Sequence, residues 1–338
     1  MDMNNVCLRD ITEIIGGELQ LGSLPPLDGE MQSVDRIVTD SRLVQPGDVY
    51  WAATKWDDDG AEMAYARGAI GVVVSGHRVE PWAGKFCIQV DDANQALRQF
   101  GQWVRDMFSG TFVLVANRAD EQDLYHDIHV IAGHDLAGQS YCVSSATSSD
   151  LALALTQLNI RHDYGVFEVG IADDKQLMQV VSQCAPDVIV WPGCAHSAKG
   201  WLATSPSAEP TQRAPRQPVT VVLRETPERS QDETVEQDLA ELCLTIGQSE
   251  RSDFRAENVR VENSSLCFSI EHQQFVVPGK TVTDLDRTLF SLAVGRLLGI
   301  TLPRMHASLR EPQRRPANSI LAAVHETESL GKTIHSLT

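Results

Sequence analysis

Apolar positions along this chain repeat with two periods, one helical and one extended, and their alternation predicts an α/β protein. Residues 8–17 (LRDITEIIGG) carry apolar side chains at helical spacing and end in a glycine pair, which reads as a helix and its stop. Residues 34–74 follow without a gap. They run through an apolar segment, Asp40-Ser41-Arg42, a Pro46-Gly47-Asp48 turn, a second apolar segment at 49–53, Asp59-Gly60, an alanine-rich helix at 61–68 and a strand at 69–74. Proline fixes φ at one residue and glycine tolerates φ > 0 at the next, so the Pro-Gly pair suits a tight turn. The strand (AIGVVV) has no polar position, as expected where both faces are covered.

The same reading continues to the C-terminal end. Residues 86–90 (FCIQV) predict a strand, and Asp91 or Asp92 can cap a helix over 93–108 by accepting its free backbone N–H groups. Ser109-Gly110 predicts a linker, after which 111–116 (TFVLVA) opens a second α/β unit as a buried parallel strand. The serine-rich piece 144–149 predicts a loop, with Ser149 or Asp150 capping the alanine-leucine helix beyond it. Strands are expected at 164–170, 185–190 and 219–224, and a helix at 173–184. The acidic stretch 225–241 predicts a loop and an amphipathic helix. A β-hairpin turning at Glu262-Asn263 is expected over 258–277, a helix over 284–298 and one more helix over 319–330.

Composition narrows the function classes. At 338 residues there is room for two domains, and 42% hydrophobic with 22% charged residues is ordinary for a soluble protein. The formal charge of −18, from 46 acids against 28 bases, opposes approach to nucleic acid or to an anionic membrane. The first residues lack an apolar signal core, and no run approaches the roughly 20 apolar residues of a membrane span. The expectation is a cytoplasmic protein with no nucleic-acid partner and no membrane span. Seven cysteines, an odd number placed mostly within apolar runs, suit small hydrophobes better than a disulfide framework. Cys184, Cys194 and His196 form the tightest group but lack the paired spacing of structural zinc sites, so no metal is expected there. His126, His129 and His134 lie close in sequence and read either as a switch or metal site or as surface residues.

The order Asp40-Ser41-Arg42, Pro46-Gly47-Asp48, Asp59-Gly60 and the following alanine helix resembles the N-terminal domain of the Mur ligases, especially the UDP-N-acetylmuramoyl-tripeptide:D-alanyl-D-alanine ligases. Val166-Phe167-Glu168-Val169-Gly170, Ala185-Pro186-Asp187 with Val190, and Ala195-His196 are similar to further signatures of that family. The resemblance implies an α/β fold: a Mur ligase N-terminal domain followed by a P-loop-type central domain with a mostly parallel sheet. It implies that the first domain holds the UDP part of a muramoyl peptide, with Ser41 and Arg42 at the uridine or diphosphate and Asp59-Gly60 over the same ligand. The chemistry suits those roles, since a serine hydroxyl can bond a uracil carbonyl and an arginine fork matches phosphate oxygens. Read from the residues alone, Asp40 and Arg42 equally make a turn and an ion pair.

The chain departs from the family where nucleotide chemistry is done. The family's T-G-S-x-G-K-T-T phosphate loop corresponds here to Ala116-Asn117-Arg118-Ala119-Asp120-Glu121-Gln122-Asp123. Both glycines are absent, Glu121 takes the lysine position, and Asp120 adds a second acid where a polyphosphate would sit. Arg118 reads as a phosphate contact or as a solvated loop charge. Glu168 and His196 stand at the family positions for Mg²⁺ placement and acyl-phosphate chemistry; the other reading of Glu168 is a strand-end carboxyl packed into the structure. Residues 205–218 contain no lysine, and the family's His and two Asn residues after Pro278-Gly279 are absent.

The expected organisation is a UDP-binding-like domain over 1–108, a degenerate ATPase-like domain over 111–302 and a short tail over 303–338 in place of a third domain. The expected function is a non-catalytic homologue, without cofactor, that binds a UDP-linked muramoyl peptide or another Mur protein. An active ligase using Mg²⁺ and ATP through an altered loop, and a structural interaction module, are the alternatives.

Overall fold

The computed structural model describes residues 6–24, 27–34, 36–52, 58–76, 78–117, 124–133, 135–143, 147–194, 220–224 and 243–310. The expected elements at 225–241 and 319–330 lie outside them. The fold class is the α/β one expected, in two compact units: one comprises 1–110, 147–162 and 183–185, the other 111–146, 163–182 and 186–338.

The first unit is built on a five-stranded sheet in the order β1-β5-β4-β3-β2, with β1 Glu18–Leu21, β2 Ile37–Val38, β3 Val49–Trp51, β4 Gly71–Ser75 and β5 Phe86–Val90. β2 to β5 pair in parallel, and β1 joins the outer edge antiparallel to β5. Helix α1, Leu8–Ile15, ends at Gly16 in the left-handed conformation, the stop its sequence predicts. Helix α2, Asp58–Ala66, places Ala61, Ala64 and Tyr65 in a core with Val38, Tyr50, Val72 and Val74. The Pro46-Gly47 pair forms a turn closed by Asp48 N–H to the Gln45 carbonyl, with Gly47 at φ 97°. Helix α3, Ala93–Met107, is capped by Asp92, whose carboxyl accepts from the N–H groups of Asn94 and Gln95. It packs against helix α5, Ser148–Thr156, at Gly101, where a Cβ would come within 2.7 Å of the Ala152 carbonyl oxygen. The cap of α5 is Thr147 rather than Ser149 or Asp150.

The second unit contains a seven-stranded sheet in the order β12-β11-β10-β9-β6-β8-β7, parallel throughout. Its strands are β6 Thr111–Asn117, β7 Gly138–Val143, β8 Tyr164–Gly170, β9 Val188–Cys194, β10 Thr220–Arg224, β11 Cys243–Gly247 and β12 Phe254–Arg255. β6 and β8 are almost entirely buried, and Phe112 meets Phe167 edge to face at 4.8 Å. Helix α4, Leu124–Ala132, lies against helix α7, Leu285–Leu297, and Ile128, Ile131, Leu289 and Leu292 join Val113, Val115 and Val166 in one core. Helix α6 covers Asp174–Cys184, and helix α8, Leu302–Arg310, adds Leu302, Met305 and Leu309 to that core. The aspartate of Ala185-Pro186-Asp187 is a strand anchor: its carboxyl accepts from Phe112 N–H at 2.7 Å, at the start of β6.

The hairpin expected over 258–277 is instead a three-stranded meander, β13 Glu257–Glu262, β14 Ser265–Ile270 and β15 Gln273–Pro278. Its first turn is Asn263-Ser264 (φ 49° and 58°) and its second Glu271-His272 (φ 46° and 69°). Two-residue hairpin turns with φ > 0 at both positions favour Asn-Gly, and a Glu-His pair there is strained. Replacing Glu271-His272 by Asn-Gly should stabilise the protein by about 1 kcal/mol. The exposed Glu271–Arg296 contact it removes, at 3.3 Å, is worth less than that. A urea midpoint unchanged or lowered in the double variant would contradict this account of the turn.

Candidate functional site

In the first unit the expected substrate residues follow the carboxyl ends of parallel strands β2 and β3. That end of a parallel sheet is where open α/β folds bind ligands. Ser41, Arg42 and Leu43 form a single 3-10 turn after β2. Asp40 starts it, accepting from Arg42 N–H at 2.9 Å and from the Arg42 guanidinium at 2.7 Å and 2.9 Å. Those bonds to Arg42 hold the Asp40 carboxyl below its ordinary range. The ion pair anticipated from sequence is therefore formed, yet Arg42 stays 76% exposed, and the pair contributes at most about 1 kcal/mol.

Ser41 Oγ meets Met63 Sδ of α2 at 3.6 Å. Asp59 is four residues before Met63 and thus on the same helical face, which places Ser41 and Asp59 on one side of α2. Asp59 is exposed and Gly60 buried. A pairing that the sequence did not signal, between Arg36 and the Asp48 of the Pro-Gly-Asp turn, supports this corner. Arg36 Nε reaches Asp48 Oδ1 at 2.8 Å, and Asp48, 5% exposed, also accepts from Gln45 N–H at 2.7 Å. The aspartate of Pro-Gly-Asp thus ties the turn to the segment entering β2.

In the second unit the chain order reverses between β6 and β9, so the crevice of a parallel sheet falls at their carboxyl ends. The segments leaving those ends, 118–123 and 195–219, lie outside the described residues, and with them Arg118, Asp120, Glu121 and His196. Asn117 and Glu168 are described and come together. Glu168, on β8 opposite Val115 of β6, is 1% exposed. Its Oε1 accepts from Asn117 Nδ2 at 2.9 Å, and its Oε2 accepts from Tyr125 N–H at 3.0 Å. Tyr125 is the second residue of α4. A helix leaves its first four N–H groups unpaired and carries partial positive charge at that end, so the carboxyl serves as a buried anionic cap.

A second charged group lies on the same helix. Asp127 of α4 is 3% exposed; its Oδ2 is 2.6 Å from Arg287 Nε on α7 and 3.5 Å from Lys280 Nζ, and its Oδ1 has no hydrogen-bond partner among the described residues. Lys280 follows the Pro278-Gly279 pair that resembles the family's, and here it faces this aspartate. The two described histidines of the group 126, 129 and 134 have contacts of their own. His129 Nδ1 bonds the Tyr164 hydroxyl at 2.7 Å, His126 lies beside Tyr125, and His134 is outside the described residues. No group of three or more His, Cys, Asp or Glu side chains among the described residues could hold a metal ion, and no described helix is long and apolar enough to cross a membrane.

No protein-family model matches the chain, and no curated protein matches it either. Solved structures do. The UDP-N-acetylmuramoylalanyl-D-glutamyl-2,6-diaminopimelate–D-alanyl-D-alanyl ligase from Acinetobacter baumannii aligns with TM-score 0.67 at 14% identity, over 91% of this chain and 69% of that one. The MurF ligase from Thermotoga maritima, solved with ADP, aligns with TM-score 0.60 at 16% identity, over 84% and 67%. Identity this low speaks for backbone architecture alone, and on that architecture the chain has the fold of the Mur ligases.

Proposed function

We propose that the chain is a non-catalytic Mur ligase homologue, related to peptidoglycan precursor synthesis, whose first unit binds a UDP-linked muramoyl compound. The observation that carries the non-catalytic part is the engagement of Glu168. Both of its carboxyl oxygens accept hydrogen bonds from Asn117 and from the start of α4, so the side chain standing at the family's metal-placing position is used to hold β6, β8 and α4 together. The sequence adds Asp120 and Glu121 in the phosphate loop, where like charge opposes a triphosphate. The binding part rests on the fold, on the exposed Arg42 fork and on the placement of Ser41 and Asp59 beside one helix face.

Calorimetric titration of the full chain tests both parts. Mg-ATP at about millimolar concentration, the range of ordinary cofactor affinities, should give no saturable heat. UDP-N-acetylmuramoyl peptide should bind. Arg42→Ala should weaken it about 10- to 100-fold by removing a charge-assisted contact, and Ser41→Ala several-fold, with melting temperature little changed. Saturable Mg-ATP binding would instead support an active ligase with an altered loop. A wild type that binds no UDP compound at millimolar concentration would leave only an interaction module.

A further inference from the structure

The strand β15 is an outer strand of the three-stranded sheet, so among the described residues one of its backbone edges has no strand beside it. Helix α8 lies along it, and His306 Nε2 accepts a hydrogen bond from the Val276 backbone N–H at 3.1 Å. The same ring packs on Phe275, with centroids 5.3 Å apart and planes at 59°. An imidazole nitrogen that accepts from N–H must be unprotonated, so the ring proton resides on Nδ1. We propose that His306 is a proton-operated latch, holding α8 on the edge of β15 when neutral and releasing that edge when protonated. A proton on Nε2 turns the acceptor into a donor pointing at another donor, and the bond cannot survive.

The surroundings oppose such a charge on balance. Burial, and then the positive charge of Arg310 one turn along α8, hold the ring below the ordinary imidazole value of 6.5, against a smaller opposite pull from the Val276 backbone. β15 brings only Gln273, Gln274, Phe275, Val276, Val277 and Pro278, none of them titratable. Charged groups on the other elements packed against α8 have partners of their own. On α4, Asp127 faces Arg287 and Lys280; on α7, Asp286 pairs with Arg224 and Arg296 with Glu271; Arg304 of α8 itself lies 3.9 Å from Asp135. On α4, His129 bonds Tyr164 and His126 meets Tyr125 edge-on.

Because the folded-state pKa is lowered, the latch is complete above about 6.5 and is lost as pH falls below that value through the ring's own, lower pKa. Leu302, Met305 and Leu309 stay anchored in the core, so the opening is confined to the strand edge. An uncovered edge offers unpaired N–H and C=O groups to another strand. The latch is independent of any ligand in the first unit.

Amide hydrogen exchange on the full chain, followed by NMR, reads the latch directly. The protection of Val276, corrected for intrinsic exchange and divided by that of Val166 in the core of β8, should fall about tenfold between about pH 7.5 and about pH 5. His306→Gln keeps an acceptor that does not titrate and should hold the ratio constant at a high value. His306→Phe has no acceptor and should hold it constant at a low one. A wild-type ratio independent of pH, or the wild-type pH dependence persisting in either variant, would overturn the latch.

Discussion

Asp127→Ala should destabilise the second unit by about 3–5 kcal/mol, the loss typical of breaking a buried ion pair by removing one partner. Asp127 is 3% exposed, and its removal takes away the anion that Lys280, 18% exposed, and Arg287, 32% exposed, share at α4. Among the described residues Oδ1 has no hydrogen-bond partner, and Oδ2 accepts from Arg287, so what the carboxyl makes there is a charge-assisted contact with two cations. The double variant Asp127→Leu with Arg287→Met should therefore recover part of the loss, because it removes both a buried charge and one of its opponents. Asp40→Ala, which breaks an exposed pair of similar length, should change stability by no more than about 1 kcal/mol. Urea unfolding followed by circular dichroism gives all three values, and a loss below about 1 kcal/mol for Asp127→Ala would mean that the pair is as well screened as the surface one.

What the sequence disclosed, and what it hid, follows from how each element is covered. β6 and β8 are legible because both faces are buried and, Asn117 and Glu168 apart, nearly every position is apolar or small. β1 escaped because it is a four-residue outer strand with its first and last residues exposed, too short and too polar for any period to register. Helix α8 escaped for a different reason: a short tail is expected from residue 303, and Pro303 lies inside the helix. It stands at the second position of the helix, where the N–H it lacks would have had no partner. β9 runs on past Val190 through Pro192 to Cys194, and its register with β10 shifts there, the kind of irregularity that lets proline into a strand.

The candidate sites show the same limit. Sequence named Ser41, Arg42, Asp59 and Glu168, but it left Arg42 and Glu168 with two readings each, and for Glu168 the difference lies in partners far along the chain. Asp48 could be placed in a turn; nothing local said that it also holds Arg36, twelve residues earlier. Glu168 could be a metal-placing residue or a packed one. The choice depends on Asn117, 51 residues away, and on the N–H of Tyr125, 43 away, and these meet it only through the pairing of β6 with β8 and the point where α4 begins.

That dependence makes Glu168→Gln the most informative substitution in the second unit. Glutamine has the same shape but presents one oxygen and one NH₂ group where the carboxyl presented two acceptors, so in a site 1% exposed either the Asn117 amide turns over to accept from the new NH₂ or one donor faces another. The expected loss is about 1–3 kcal/mol, from the lost charge-assisted hydrogen bonds and the weaker cap on α4. A carboxyl kept for metal placement behaves in the opposite way: neutralising it abolishes nucleotide-dependent chemistry and leaves stability equal or higher, since functional charges are generally held at the expense of the fold. Asn117→Ala separates the two readings further. If Glu168 is a structural cap, Asn117→Ala and Glu168→Gln disturb one shared hydrogen bond, and their stability losses should combine to less than their sum. Losses that add fully, or a Glu168→Gln variant as stable as the wild type, would return Glu168 to the metal and reopen the case for an active ligase.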